Sequence, residues 1–489
     1  MFWFCSPVKL VFTLPQNPNF FPHPPFSHHT MNEDEDPRNG VVSENNHHHT
    51  PKKPKLTQPI ISEPEIREEF SHHQPGIARI NNGSFGSCPR SVLTSQNTWL
   101  LRFLSQPDDF HSNTLRTGIS HSRALIKTLI NAQNVDDVSL VDNATTAAAI
   151  VLQQIGRRFA RGEFCRNDAV IIFHCAYQAV KKSILAYVTP VGGSVIEVRL
   201  PFPVRSNDEI IEEFRKGLER GRENGGRVRL AILDHITSMP SVVVPVKELI
   251  GICRENGVDQ VFVDGAHAIG SLRIDVSEIG ADFYVSNLYK WFFSPPSVAF
   301  LYCRNSKGSD GDVHHPVVSH EYGNGLPAES AWVGARDYSP QLVVPAIFDF
   351  VNRFEGGIEG IMKRNHEEVV KMGSMLAESW GTMLGSPPEM CASMIMVGLP
   401  SRIGMTSDDD AMRLRSHLRV YHGVEVPVYH QAVRDGETDP RDKDGYITGY
   451  VRISHQVYNT VEDYLKLKNA INQILEEGKT CKMLPKERT

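Results

Sequence analysis

Between about residues 135 and 305, short apolar runs recur with helical segments between several of them, and this alternation constrains the fold more than any other feature of the chain. The runs are "AVIIFH" (169–174), "VIEVRL" (195–200), "VRLAILDHI" (228–236), "QVFVDGAH" (260–267), "DFYVSN" (282–287) and "VAFLYCR" (298–304). Continuously apolar strands belong in a sheet covered on both faces. Between two of them, residues 208–220 set Ile210, Ile211, Phe214 and Leu218 on one helical face, with Glu212 four residues before Lys216. The pattern predicts an α/β fold, with a mostly parallel central sheet in a large domain spanning residues 135–345.

After about residue 345 the pattern changes to that of a smaller α+β domain, residues 346–480. A helix near 358–380 carries Val369, Met372, Leu376 and Trp380 at helical spacing, and "SMIMVGLP" (393–400) and "GYVRIS" (449–454) read as strands. A closing helix starts at "TVED" (460–463), a capping-box spacing, and runs to about Glu477. Residues 78–134 are expected to pack with this smaller domain.

Residues 1–77 read as a disordered extension, rich in Pro, His and Asn, with "FFPHPPFSHH", "NNHHHT" and "PKKPK". No acidic residue occurs up to Asn32, which suits a chloroplast or mitochondrial targeting segment, although arginine is absent and serine sparse there. Without import the expected compartment is the cytoplasm. Met31 is an alternative start. A metal role for "HHH" and a nuclear signal in "PKKPK" both compete with a solvated tail, the favoured reading.

Bulk composition excludes several classes. The chain has 489 residues and a formal net charge of −6, so no general attraction to nucleic acid is expected. No apolar run reaches the roughly 20 residues of a membrane-spanning helix. Eight cysteines are scattered without a C-x-x-C pair, which favours reduced thiols inside a cell over a disulfide framework or a metal site.

Three stretches can carry chemistry. In "LVDNATTAAAIVLQQIG" (140–156) a strand end meets Asn143, Thr145 and Thr146 before an Ala-rich helix. Hydroxyls and free amides there suit a phosphate, or serve a plain N-cap. In "FVDGAHAIG" (262–270), Asp264 sits at the carboxyl end of an apolar strand, where open α/β sheets bind ligands, or simply turns the chain. In "VSNLYKWFFSPPSVAFLY" (285–302), Lys290 lies in a run that should bury it, at a cost unless the charge is paired or removed. Together they fit a pyridoxal phosphate (PLP) site: a lysine for the cofactor aldehyde, an acid for its ring nitrogen and a cup for its phosphate. An apolar surround lowers the lysine pKa, so the neutral amine can attack the aldehyde.

An ordered set of motifs extends this: "INNGSFGSCP" (80–89), "DNATTA" (142–147), "HCAYQAVKK" (174–182), "LDHITSMPSVVVPV" (233–246), "VDGAHAIG" (263–270), "SNLYKWFFSP" (286–295) and "YVRISHQVYNT" (450–460). In these motifs, over about 78–478, the chain resembles the class V aminotransferase group of fold-type-I PLP enzymes. Within it, the chain is similar to the isopenicillin N epimerase-like branch and to plant L-cysteine desulfhydrases. The resemblance implies that Lys290 is the Schiff-base lysine and Asp264 the acid at the pyridine nitrogen. It implies that His267 bonds the phenolic oxygen, that Tyr177 stacks on the ring and that Ala144 and Thr145 form the phosphate turn. Ser238 joins the cofactor-binding set. Arg452 matches the arginine that takes the substrate carboxylate, its planar fork suiting that group. Outside the family context, Tyr177 reads as a core aromatic and Arg452 as a surface ion pair. Two departures stand out: Tyr289 where many relatives have histidine, and Ala335 where a threonine reaches the neighbouring subunit's phosphate. They shift phosphate holding towards Asn287, Ser286 or the 143–146 turn.

The resemblance further implies α,β-elimination of L-cysteine to pyruvate, ammonia and hydrogen sulfide by a homodimer. An epimerase or racemase is the first alternative, with His267 or a tyrosine protonating the opposite face. A cysteine desulfurase would need a mobile thiol; Cys391 directly precedes a strand and reads as a small buried residue. An aminotransferase follows, and a non-enzymatic binder using the His-rich tail is the reading from another class.

Overall fold

The apolar runs become strands, most of them buried on both faces and one, Ser194–Val198 at the sheet edge, largely exposed, in a computed structural model that describes residues 60–223, 225–304, 313–434 and 438–485. The strands of the larger sheet are β1 (Val138–Val141), β2 (Ala169–Phe173), β3 (Ser194–Val198), β4 (Val228–Asp234), β5 (Gln260–Asp264), β6 (Phe283–Asn287) and β7 (Ala299–Cys303). They pair in the order β1-β7-β6-β5-β4-β2-β3. Pairings from β3 through β6 are parallel, and β7 is antiparallel to both its neighbours. The order reverses between β2 and β4, and at such a switch point the strand ends open a crevice.

The helices used below are α1 (Glu63–Glu69), α2 (Arg90–Ser105), α3 (Arg116–Leu129), α4 (Ala144–Ala160), α5 (Gln178–Tyr187), α6 (Asn207–Arg220), α7 (Val246–Glu255), α8 (Gly357–Trp380), α9 (Asp408–His422) and α10 (Val461–Glu476). The Glu212–Lys216 pair of α6 forms at 2.8 Å, but it is exposed and contributes little.

Strand parity sets the geometry of the site. Ala231 and Leu233 of β4 and Val261 and Val263 of β5 face one core, shared with α6 and α7. Leu230 and Ile232 of β4, Phe262 of β5 and Phe283 and Val285 of β6 face the other, where Ala147, Val151 and Ile155 of α4 pack. Counting on by two from these residues reaches Asp234, Asp264 and Asn287. Three polar strand ends therefore point to the face that carries α4.

A smaller antiparallel sheet, β8 (Met394–Gly398), β9 (Val428–His430) and β10 (Gly449–Ser454), pairs in the order β9-β10-β8. The expected stripe of Val369, Met372, Leu376 and Trp380 on α8 is buried in its core. The Thr460 capping box with Asp463 forms at the start of α10. Residues 78–134 divide between the two cores. Ala78 and Ile80 lie in the smaller one, with Ala78–Arg79 paired to Val424–Glu425. Val92 of α2 and Ile119 and Ile126 of α3 lie in the larger one.

The extension expected over 1–77 is ordered from Ile60 onward, a correction to the sequence reading. Ile61, Ile66 and Phe70 bury their side chains in the larger core. Ser62 and Glu65 close a capping box on α1, and Arg353 pairs with Glu65 at 2.8 Å and Glu69 at 3.0 Å. Three apolar anchors within ten residues outweigh the polar composition around them. The "HHH" and "PKKPK" tracts lie outside the described residues.

Helix α4 is packed so closely on the end of α5 that a Cβ at Gly156 would overlap the carbonyl oxygen of Tyr187. Gly156→Ala gains about 1 kcal/mol of helix propensity, while overpacking against backbone costs about 1–3 kcal/mol. The expected outcome is a lower urea midpoint, a net loss of up to about 2 kcal/mol. A midpoint at or above wild type would show that α5 yields.

Candidate active site

A cavity of about 390 Å³ opens where β4, β5 and β6 end. Its floor holds Asp234, Asp264, His267, Asn287 and Lys290. Lys290 reaches it because the chain turns sharply after β6: Leu288 and Trp291 are fully buried on either side of a short helical turn, Leu288–Trp291, which directs the intervening lysine to the cavity. The loop before α2 lies directly on this turn. Gly86 has φ +63°, and a Cβ there would collide with the Tyr289 carbonyl oxygen, so only glycine fits.

The amine of Lys290 lies 3.2 Å from His267 Nε2, and Trp291 Nε1–H donates to His267 Nδ1 at 3.4 Å. An indole nitrogen only donates, so His267 Nδ1 must accept and the ring proton sits on Nε2. That N–H then faces the lysine nitrogen, an arrangement that suits a neutral amine and repels an ammonium. Burial drives the His267 pKa well below its ordinary value, with Lys290 and Arg452 adding to the effect. Burial likewise lowers Lys290 to about 8; Asp264 and Asp234 resist the shift, and Arg452 assists it.

Asp264, the last residue of β5, is buried, and its Oδ1 accepts the Ala266 N–H at 3.0 Å. Burial raises its pKa, opposed by that hydrogen bond and by Lys290. Asn287 accepts the Ala144 N–H at 2.9 Å, tying the end of β6 to the first turn of α4. Asn143 caps the same helix through Thr146 N–H at 3.0 Å. Ala144 and Thr145 thus line the cavity at the positive end of a 17-residue helix, a setting that favours an anion. Tyr177, at the start of α5, lines the mouth and is about half exposed.

Arg452 of β10 is 3% exposed and is held by its neighbours. Its Nη1 donates to Ser238 O at 2.7 Å and Ser238 Oγ at 3.2 Å; its Nη2 donates to Asn81 Oδ1 at 3.0 Å and Ser84 Oγ at 3.3 Å. Burial, with Arg415 nearby, lowers it to about 10. Ser84, Ser238 and Arg415 line the cavity itself, and Arg452 stands behind the two serines. Cys391 is elsewhere: it is buried, its Sγ lies 3.2 Å from Ser386 Oγ, and burial pushes its pKa up to about 11.

All nine site residues expected from the sequence gather at or directly behind this cavity. Two charged lining residues were missed. Asp234 ends the apolar strand "VRLAILD" as Asp264 ends "QVFVD", so the signal that found one should have found both. Arg415 stands among Arg413 and Arg419 on a polar helix and has no distinguishing signal in sequence.

The residues fit PLP: a low-pKa amine, a buried acid, a helix N-terminus and a buried carboxyl oxygen, Asp234 Oδ2, that no described residue serves. With its mostly parallel sheet and a smaller α+β unit, the architecture is that of the fold-type-I PLP enzymes. A C-DES variant with glycine covalently linked to its PLP cofactor superposes with a TM-score of 0.63 at 16% identity, over 83% of this chain and 98% of that one. The Aminotransferase class-V family model matches residues 87–467, and the chain belongs to that family. It is 64% identical to the L-cysteine desulfhydrase of Arabidopsis thaliana over 92% of this chain and 98% of the relative. It is 62% identical to the probable chloroplastic L-cysteine desulfhydrase of the same plant, over 88% and 90%.

Reaction of the cofactor-free protein with an aldehyde, trapped by hydride and read at position 290 by mass spectrometry, should reach half its maximal rate near pH 8, since only the neutral amine reacts. Asp264 raises the amine pKa, so Asp264→Asn should move that midpoint down. A midpoint near the ordinary lysine value would contradict the assigned environment.

Proposed function

We propose that the chain is an L-cysteine desulfhydrase, a PLP-dependent carbon–sulfur lyase that converts L-cysteine to pyruvate, ammonia and hydrogen sulfide. The observation that carries this is the content of the cavity: an amine, a buried acid and cationic groups, but no cysteine among the described lining residues. The two Arabidopsis relatives support the same reading. When bound, PLP supplies an aldehyde for the substrate amine and a ring that accepts the electron pair left as the Cα proton departs.

The chain's residues do the rest. Lys290 accepts the Cα proton, its amine kept neutral by burial and by the His267 N–H. Asp264 supplies the anion that favours a protonated ring nitrogen. His267 has its ring fixed by Trp291 and bonds the phenolic oxygen. Thr145 and Ala144, with Asn287 behind them, receive the phosphate at the start of α4. Tyr177 covers the ring at the mouth. Arg452, with Ser238 and Arg415 around it, takes the substrate carboxylate. A persulfide-forming thiol is not required, and Cys391 is too buried and too weakly acidic to act as one.

We also read the chain as a homodimer; Leu101 and Leu104 on α2 are exposed apolar residues that a second copy would cover. The segment before Ile60 is read as the one that decides the compartment, and the relative called chloroplastic supports the chloroplast over the mitochondrion or cytoplasm.

Purified protein with PLP and L-cysteine should release sulfide and pyruvate in equal amounts. Lys290→Ala should lose at least about a thousandfold in rate, since general base and covalent anchor go together. Cys391→Ala should retain turnover. Epimerised cysteine without sulfide, or a thiol acceptor requirement abolished by Cys391→Ala, would overturn the assignment.

A further inference from the structure

Asp234 has no part in the reaction as described above, yet it is built into the site. It is the last residue of β4, and its Cα partner across the sheet is Asp264, the last residue of β5. In-register residues on neighbouring parallel strands share a face, with backbones about 4.8 Å apart. Both side chains line the cavity, and both residues are 4% exposed. Two carboxyls this close and this dry cannot both ionise.

Their partners decide which one keeps the proton. The Ala266 N–H donates to Asp264 Oδ1 at 3.0 Å and stabilises charge there. Asp234 Oδ2 is buried with no hydrogen-bond partner among the described residues. With one oxygen unserved and only its own backbone N–H to favour charge, Asp234 is the worse place for an anion, and a carboxylic acid aimed at a ligand cavity is a ready donor. The other charged or titratable groups about Asp234 are Lys290, from the turn after β6, and Cys175, from the segment after β2. Arg415 and His267 face the same cavity from α9 and from the segment after β5. Burial holds the Cys175 thiol neutral. Burial, then Asp264, raises the Asp234 pKa well above the usual carboxyl range, opposed by a hydrogen bond from its own backbone and then by Lys290.

We propose that Asp234 is a positioning residue of the cofactor site. It carries the single proton of a carboxyl pair with Asp264, so that the pair offers bound PLP one negative charge, on Asp264, and one O–H donor, on Asp234. The inference rests on the PLP reading of the cavity. It explains how a strand end already provided with an acid can hold a second one beside it: a protonated Asp234 adds a hydrogen-bond donor without adding a second negative charge next to Lys290.

The test is infrared spectroscopy on apoprotein carrying isotope-labelled aspartate, with PLP titration alongside. At neutral pH the wild type should show a label-sensitive protonated-carboxyl band that shifts when PLP is added, and Asp234→Asn should remove it. Asp234→Asn, neutral and still a donor, should bind PLP within about threefold of wild type, and Asp234→Ala should bind about tenfold more weakly. A wild-type spectrum without that band, a band indifferent to PLP, a band unchanged in Asp234→Asn, or equal PLP affinity of the two variants would overturn the inference. If the variants do not fold, the wild-type band and its response to PLP decide alone. Failure of wild-type apoprotein to take up PLP would sink the cofactor reading; uptake without the band would sink only the proton-sharing pair.

Discussion

Parallel strands buried on both faces have nowhere to place polar side chains except at their ends, and the rest of this structure depends on that constraint. The cores above and below the sheet take alternate residues of β4, β5 and β6. Extending the alternation to the last residue of each strand brings Asp234, Asp264 and Asn287 to one face. The helix whose N-terminus suits an anion packs on that same face, clamped by Asn287. The site is therefore a consequence of the packing of apolar residues that never touch a ligand.

The electrostatics follow from the same burial. A lysine in water is an ammonium; here desolvation, assisted by Arg452, favours the amine, and the two aspartates pull the other way. Burial wins, but only partly, and the compromise near 8 leaves both protonation states within reach of neutral pH. A group that must act as nucleophile, leaving group and base in turn needs that balance. Paired with a fully ionised dyad, Lys290 would be held as a cation, so the proton retained between the two acids bears directly on the lysine.

Much of this was legible in the sequence because it rests on local pattern. Strand boundaries in "AVIIFH", "QVFVDGAH" and "DFYVSN" were set by apolar continuity, and Lys290 and Asp264 stood out as charges beside apolar runs. The stripe on α8 and the cap of α10 were equally local. What was not legible depends on long-range contact. Residues 63–69 read as part of a polar tail because their anchors, Ile66 and Phe70, pack against elements hundreds of residues away. Arg415 is one of several arginines on a charged helix, and only the fold reveals which one faces the cavity. Arg452 was found through its motif, but its place behind Ser84 and Ser238 depends on the loop at 81–84, which reaches across from the other end of the chain.

The aromatic run after the lysine has a further meaning. Any large apolar residue at 291 would bury the turn, and Phe292 and Phe293 do this beside it. Tryptophan adds a donor that cannot accept, and His267 is within its reach. Because the indole N–H occupies Nδ1, the imidazole has one tautomer left, and its remaining N–H points at the lysine amine. The protonation state of the reacting nitrogen is thus biased from two directions at once, by burial and by the hydrogen-bond polarity of the His267 ring. A phenylalanine at 291 would preserve the first influence and remove the second. In this chain the residue that follows the lysine belongs to the chemistry as well as to the packing.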